Sequence, residues 1–217
     1  MTSDRPAAAP GSWWRCRAVA DGGRPAWFAL VASTAFADEE VVELPEAEAL
    51  RAVGDAAEGV ARFDDTGAVV RLEPGRRFSP DAARLWYAEV PQPTADPPAS
   101  HLVAFEGHDV EPGSLVTREQ LATSGVTSDD QVAAMRWIPL SGQAHQLYVQ
   151  PAWRRRGIAT GIGVACAVLQ AARGGPRVWG DGSRTAMGEK WREGTDWAHL
   201  AAELEYLEAP MTPYDQR

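Results

Sequence analysis

Apolar and polar positions alternate over 13–20 (WWRCRAVA), and a more apolar run follows at 27–34 (WFALVAST). Both read as strands, and the intervening DGGRP supplies a tight turn. The spacing becomes helical in PEAEALRAVGDAAEGVARF, which predicts a helix from about Glu46, with Pro45 near its first turn. ARFDDTGAVVRLE predicts a hairpin around Asp65-Thr66-Gly67. SPDAARLWYAEV opens like a helix capped by Ser79, with Pro80 in its first position. The prolines at 91, 93, 97 and 98 in PQPTADPPAS then exclude regular helix or strand and predict a linker or a long surface loop.

Beyond that break, HLVAFEG reads as a strand, TREQLA as a short helix and QVAAMRWIPL as a strand. An SGQ turn leads into the strand HQLYVQ. Gly157 to Arg173 is apolar all round and predicts a buried helix, closed by Gly174, Gly175 and Pro176. RVWGDG is a short strand, SRTAMGEKWRE a helix, and WAHLAAELEYLEA more helix or a helix running into a last strand. Strands alternating with helices, with strand pairs before and after, predict an α/β (α+β) fold with a mixed sheet. We expect a loose tail at 1–11, an N-terminal strand and helix elaboration at 12–100 ending in the proline-rich loop, and a core at 101–217.

Composition narrows this picture. A chain of 217 residues, 45% hydrophobic, is long enough to bury one sizeable core. Its 21 basic against 30 acidic residues argue against a general nucleic-acid binder. Two distant cysteines, Cys16 and Cys166, predict a reduced, cytoplasmic protein rather than a disulfide scaffold. The apolar stretch from Gly157 to Ala172 is short and glycine-rich for a bilayer span, so no membrane association is expected. No His-Glu-x-x-His pattern or cysteine cluster occurs, so no metal site is expected.

Against the acidic background, 150–180 holds arginines at 154, 155, 156, 173 and 177 and no acidic residue. Pro151 ends the preceding strand, three arginines follow, and Gly157 opens the long helix. Amides at a helix start lack partners and carry the positive end of the macrodipole, glycine allows close approach, and arginine binds phosphate oxygens. The combination predicts a phosphate cradle. It is neither a P-loop nor a dinucleotide-binding glycine pattern, since neither spacing is present.

LYVQPAWRRRGIA, Leu147 to Ala159, resembles the acetyl-CoA-binding motif of the GNAT family of N-acetyltransferases. That motif is an apolar strand, Val-x-Pro, an aromatic, then Arg-x-x-Gly-x-Ala or Gly. The match spans about residues 145–165 and extends more weakly to Gly194. The resemblance implies a GNAT-like, mostly antiparallel central sheet flanked by helices, and acyl transfer from acetyl-CoA to a primary amine. It implies that amides from Arg155 to Thr160, including those of Gly157, Ile158 and Ala159, hold the coenzyme's pyrophosphate, with Arg154 or Arg156 on phosphate oxygens. The strand edge at Leu147, Tyr148 and Val149 would pair with the pantetheine arm.

Acetyl transfer needs a base for the ammonium, donors for the oxyanion, and a proton for the departing thiolate. His145, at the start of that strand, and Glu106 are the candidate bases. The family's later Asn-x-x-Ala…Tyr pattern aligns with SRTAMGEKWREGT, which puts Ser183 at the asparagine and Lys190 at the tyrosine. Lys190 is therefore the candidate proton donor, and Ser183 a coenzyme contact. A non-catalytic CoA-binding module on the same scaffold is the second reading, and a basic-loop polyanion binder the third. Oligomeric state is left open.

Overall fold

The computed structural model describes residues 13–32, 35–75, 79–194 and 198–208. The expected tail at 1–11 lies outside them.

β1 (Trp13–Val19) and β2 (Pro25–Ala32) form the first hairpin, as the alternation predicts. Their side chains divide between two faces. Trp14, Cys16, Ala18, Trp27, Ala29 and Val31 join Ala49 and Val53 of α1 (Glu46–Val53), while Phe28 and Leu30 face the main core. With β3 (Val41–Pro45), β4 (Ala57–Phe63) and β5 (Val69–Pro74) they make a five-stranded sheet, β3-β1-β2-β4-β5. The helix expected over 46–63 is shorter than its pattern suggested. Gly54, at φ +45, ends it; Gly54–Ala56 make a 3-10 turn, and Ala57–Phe63 form β4.

The second sheet holds β6 (Leu85–Gln92), β7 (Ala99–Glu106), β8 (Leu115–Val116), β9 (Gln131–Ile138), β10 (Gln143–Val149) and β11 (Trp179–Gly180). Its order is β11-β10-β9-β7-β6-β8, with β6, β7, β9 and β10 antiparallel in turn. Two expectations are corrected here. The helix expected from Ser79 is one 3-10 turn, Asp81–Arg84, and the rest is strand β6. Ser79 caps that turn, its Oγ accepting from the Ala82 amide at 3.1 Å, but LWYAEV continues into a ladder with β7. The proline-rich segment is neither linker nor boundary. β6 and β7 pair from Leu85↔Glu106 to Gln92↔Ala99, so a division at residue 100 would cut a hairpin. Pro91 is tolerated because β8 pairs only Tyr87 and Ala88, leaving the outer edge of β6 open at Pro91.

α2 (Arg118–Thr123) covers one face of the second sheet through Leu121. α3 (Ile158–Ala172) lies on the other face and packs as well against β2, β4 and β5. A helix apolar all round needs such double cover, and every residue from Gly161 to Ala172 is buried. Close approach is built in. A Cβ on Gly59 would stand 2.6 Å from Val164 Cγ1, and one on Gly161 would stand 2.7 Å from Ala82 Cβ. The two sheets also join at a corner, where Leu72 N–H donates to Gly113 O and Gly113 N–H to Leu85 O.

Past α3 come β11, then β12 (Ser183–Thr185), α4 (Ala186–Glu193) and β13 (Tyr206–Glu208), with β12 and β13 parallel. The expected last helix is a single 3-10 turn, Ala198–Leu200, ahead of the expected last strand. The described residues thus form a mixed α+β fold of mostly antiparallel sheets with few helices. No helix among them is long and apolar enough to cross a membrane.

Candidate functional site

Three features meet where β10 passes into α3. The first is the turn itself. Pro151–Trp153 form a 3-10 turn, after which Arg155 (φ +62) and Gly157 (φ +76) adopt left-handed backbone on either side of Arg156. Alternating handedness turns successive amides toward one concavity, which suits an anion. Among the described residues, the amides from Arg155 to Thr160 donate to no backbone carbonyl or side chain; the helix ladder begins with Gly161 N–H on Gly157 O at 2.9 Å.

The three arginines of this turn do different work. Arg154 Nε donates to Val149 O at 3.0 Å and braces the end of β10. Arg156 Nε donates to Asp81 Oδ2 at 2.8 Å, and its guanidinium stacks 4.2 Å from the Trp153 ring centroid. The hydrogen bond raises the Arg156 pKa and lowers that of Asp81. Ser79 Oγ donates to Arg156 O at 2.6 Å. Arg155 is exposed and has no ion-pair partner among the described residues. Both braced arginines keep their Nη groups without a described partner. The loop therefore holds its shape by using one nitrogen of each flanking arginine, and offers Arg155 outright.

The second feature is the strand edge. β11 pairs with β10 only at Gln143↔Trp179 and Ala144↔Gly180, and the two parallel strands then part. Beyond Ala144, β10 keeps β9 on one side and is open on the other. The register slips between Ala144 and Gln146, so His145 is an extra residue in a bulge, which re-aims the local amides.

The third is a cavity of about 150 Å³ in the gap between the strands. Ala144 to Leu147 form one wall, Gly163 and Ala167 of α3 another, and Trp179, Asp181, Ser183 and Trp191 close it. Asp181 organises the far wall, its carboxylate accepting from Gln143 Nε2 and the Ser183 amide, both at 2.9 Å. Trp191 Nε1 donates to Thr160 Oγ1 at 3.0 Å, tying α4 to the first turn of α3.

The candidates named from sequence fall apart accordingly. Leu147, Ser183 and His145 line the cavity, and His145 is exposed at the bulge. Tyr148, paired with Ala134, and Val149 belong to the same strand but do not line it. Ile158 is buried in the core at 1% exposure, so only its amide serves the turn; Ala159 and Thr160 are half-buried. Glu106 is at the other end of the sheet, ion-paired with Arg84. Ser100 pairs with Trp137, which is level with Ala144, and six strand residues on to Glu106 amount to roughly 20 Å. His145 and Glu106 cannot act on one substrate atom. Lys190 is exposed and does not line the cavity, unlike its neighbours Gly188, Trp191 and Arg192.

Asp181, Trp191 and Arg192 were not among the sequence candidates. A tryptophan beside the aligned Lys190 was the available signal. The remaining reactive types lie elsewhere. Cys166 is enclosed in α3, where burial pushes its thiol well above the usual range, and burial raises Cys16 to about 11. Burial, then the charge of Arg136, lowers His101 from 6.5 to about 4. No group of three or more His, Cys, Asp or Glu residues suited to a metal occurs among the described residues.

Comparison with protein-family models gives no match, and comparison with curated proteins and with solved structures gives none at a significant level.

Proposed function

We propose that the chain is a GNAT-type, acyl-CoA-dependent N-acyltransferase that moves an acyl group, acetyl in the simplest case, to a primary amine. The unpartnered amides from Arg155 to Thr160 carry this reading. They follow β10, whose edge is open from the cavity at Ala144 to Val149, an order along the chain that suits a ligand with a diphosphate head and an amide-bearing arm. The arginine-rich sequence motif supports the same assignment.

In this reading the turn binds the pyrophosphate, with Arg155 as its free cation. The edge of β10 pairs with the pantetheine amides, and an amide near the His145 bulge donates to the thioester oxygen as it becomes an oxyanion. His145 takes a proton from the acceptor ammonium. The neutral amine attacks the carbonyl carbon, the C–N bond forms, the C–S bond breaks, and the thiolate leaves. The amine loses its second proton as the tetrahedral adduct collapses, and the thiolate gains one to become free coenzyme A thiol. Lys190 does not line the cavity, and the thiolate needs no protein acid, since thiols near a pKa of about 8.5 leave readily as anions.

The outward placement of Lys190 favours one second reading, a CoA-binding module without catalysis. Two measurements separate them. Coenzyme A at about 100 times its Kd should stabilise the protein by about 2.7 kcal/mol, seen as a rise in Tm. Gly157→Val, which forces a β-branched residue into φ +76, should abolish that rise. Thiol release with an amine library then reports catalysis. Absence of any coenzyme A effect on the unaltered protein would falsify both readings.

A further inference from the structure

The cavity has two chemically distinct ends. His145, Gln146, Asp181 and Arg184 supply polar groups at the strand gap. The deep wall is apolar and comes from four separate parts of the chain: Trp13 of β1, Met135 of β9, Ala167 of α3, and Val178 just before β11. All four are buried, between 6% and 9% exposed. Gly163 and Ala167 are one turn apart on the same face of α3, and their small size keeps that wall low.

A methyl group is about the size of a water molecule, which takes roughly 30 Å³ of the liquid. The whole cavity, strand gap and apolar wall together, is about 150 Å³, several times larger. Interiors are otherwise packed to crystal density, and core space unfilled by side chains is destabilising. An apolar recess that opens beside the bulge therefore matches a ligand group that is itself apolar and longer than acetyl.

The geometry points to an acyl-CoA substrate whose acyl group is a short aliphatic chain longer than acetyl, seated against Trp13, Met135, Ala167 and Val178. This rests on the coenzyme reading above and names the substrate class for that same site. Trp13 makes the first sheet part of the specificity pocket, a role that the 145–165 motif does not contain.

The test is equilibrium binding of free coenzyme A and of its acetyl, propionyl, butyryl and hexanoyl thioesters to the full chain. Each methylene buried in the recess should tighten binding about fourfold, from acetyl through butyryl. Ala167→Leu, which fills the recess, should flatten this series. Val178→Ala, which widens the recess, should move the optimum to a longer chain, and it serves if the leucine variant does not fold. If free coenzyme A binds but affinity is flat or falls from acetyl to butyryl, this inference is overturned and the coenzyme reading stands. If neither coenzyme A nor any ester binds, both are lost.

Discussion

Arg154, Arg155 and Arg156 have the same side chain and three different duties. Two brace the turn through Val149 O and Asp81, and the one between them has no acidic partner among the described residues. Arg155 also occupies a left-handed conformation that costs an L residue about 1–2 kcal/mol. Arg155→Gly removes that strain and adds the entropy cost of a glycine, so Tm should change little. Coenzyme A affinity should fall, most at low salt, which calorimetry at two ionic strengths would reveal. A large loss of Tm would mean that Arg155 is structural instead.

His101 makes a second, separate case. Its folded pKa of about 4 is below the 6.5 of the unfolded chain, so the unfolded state binds the extra proton between those values. Stability is fully present above pH 6.5 and is lost as pH falls toward 4. His101→Leu should shrink the difference in urea midpoint between pH 7 and pH 4.5. An unchanged difference would assign acid sensitivity to other groups.

The elements follow their patterns except where a local signal was given more reach than it has. Ser79 and Pro80 do start a turn, but a cap specifies only a beginning, and the apolar Leu85–Val90 run was taken up by β7. The small residues of α3 divide between two purposes. Gly163 lines the cavity, whereas Gly161 is closed over by Ala82. Gly161→Val should cost about 1–3 kcal/mol by overpacking, and pairing it with Ala82→Gly should recover part of that loss in a double-mutant cycle. Strict additivity would show that the two do not touch. The strand, turn and helix from Leu147 to Ala172 were legible because their signals are local: a proline, left-handed glycine and a run of apolar residues.

Across the molecule, α3 has a sheet on each side, so neither half of the chain can close its core alone. Arg177, 6% exposed at its side chain, joins Asp38 and Glu39 across the halves, and Arg15 reaches Glu39 at 3.3 Å. Denaturation should give one transition, coincident by tryptophan fluorescence and far-UV dichroism. Arg177→Ala should cost about 1–3 kcal/mol, because Asp38 loses its cation and Glu39 keeps Arg15 alone. Two resolved transitions would restore a boundary between halves.

The arginine-rich turn before α3 could be read from its amino acids, since backbone conformation and charge over a dozen residues depend on neighbours in the chain. The parting of β10 from β11, the outward turn of Lys190, the distance from His145 to Glu106 and the arrival of Trp13 in the cavity could not. Each depends on which strands pair and which helix lies between the sheets, and such long-range contacts leave no periodicity in the chain that makes them.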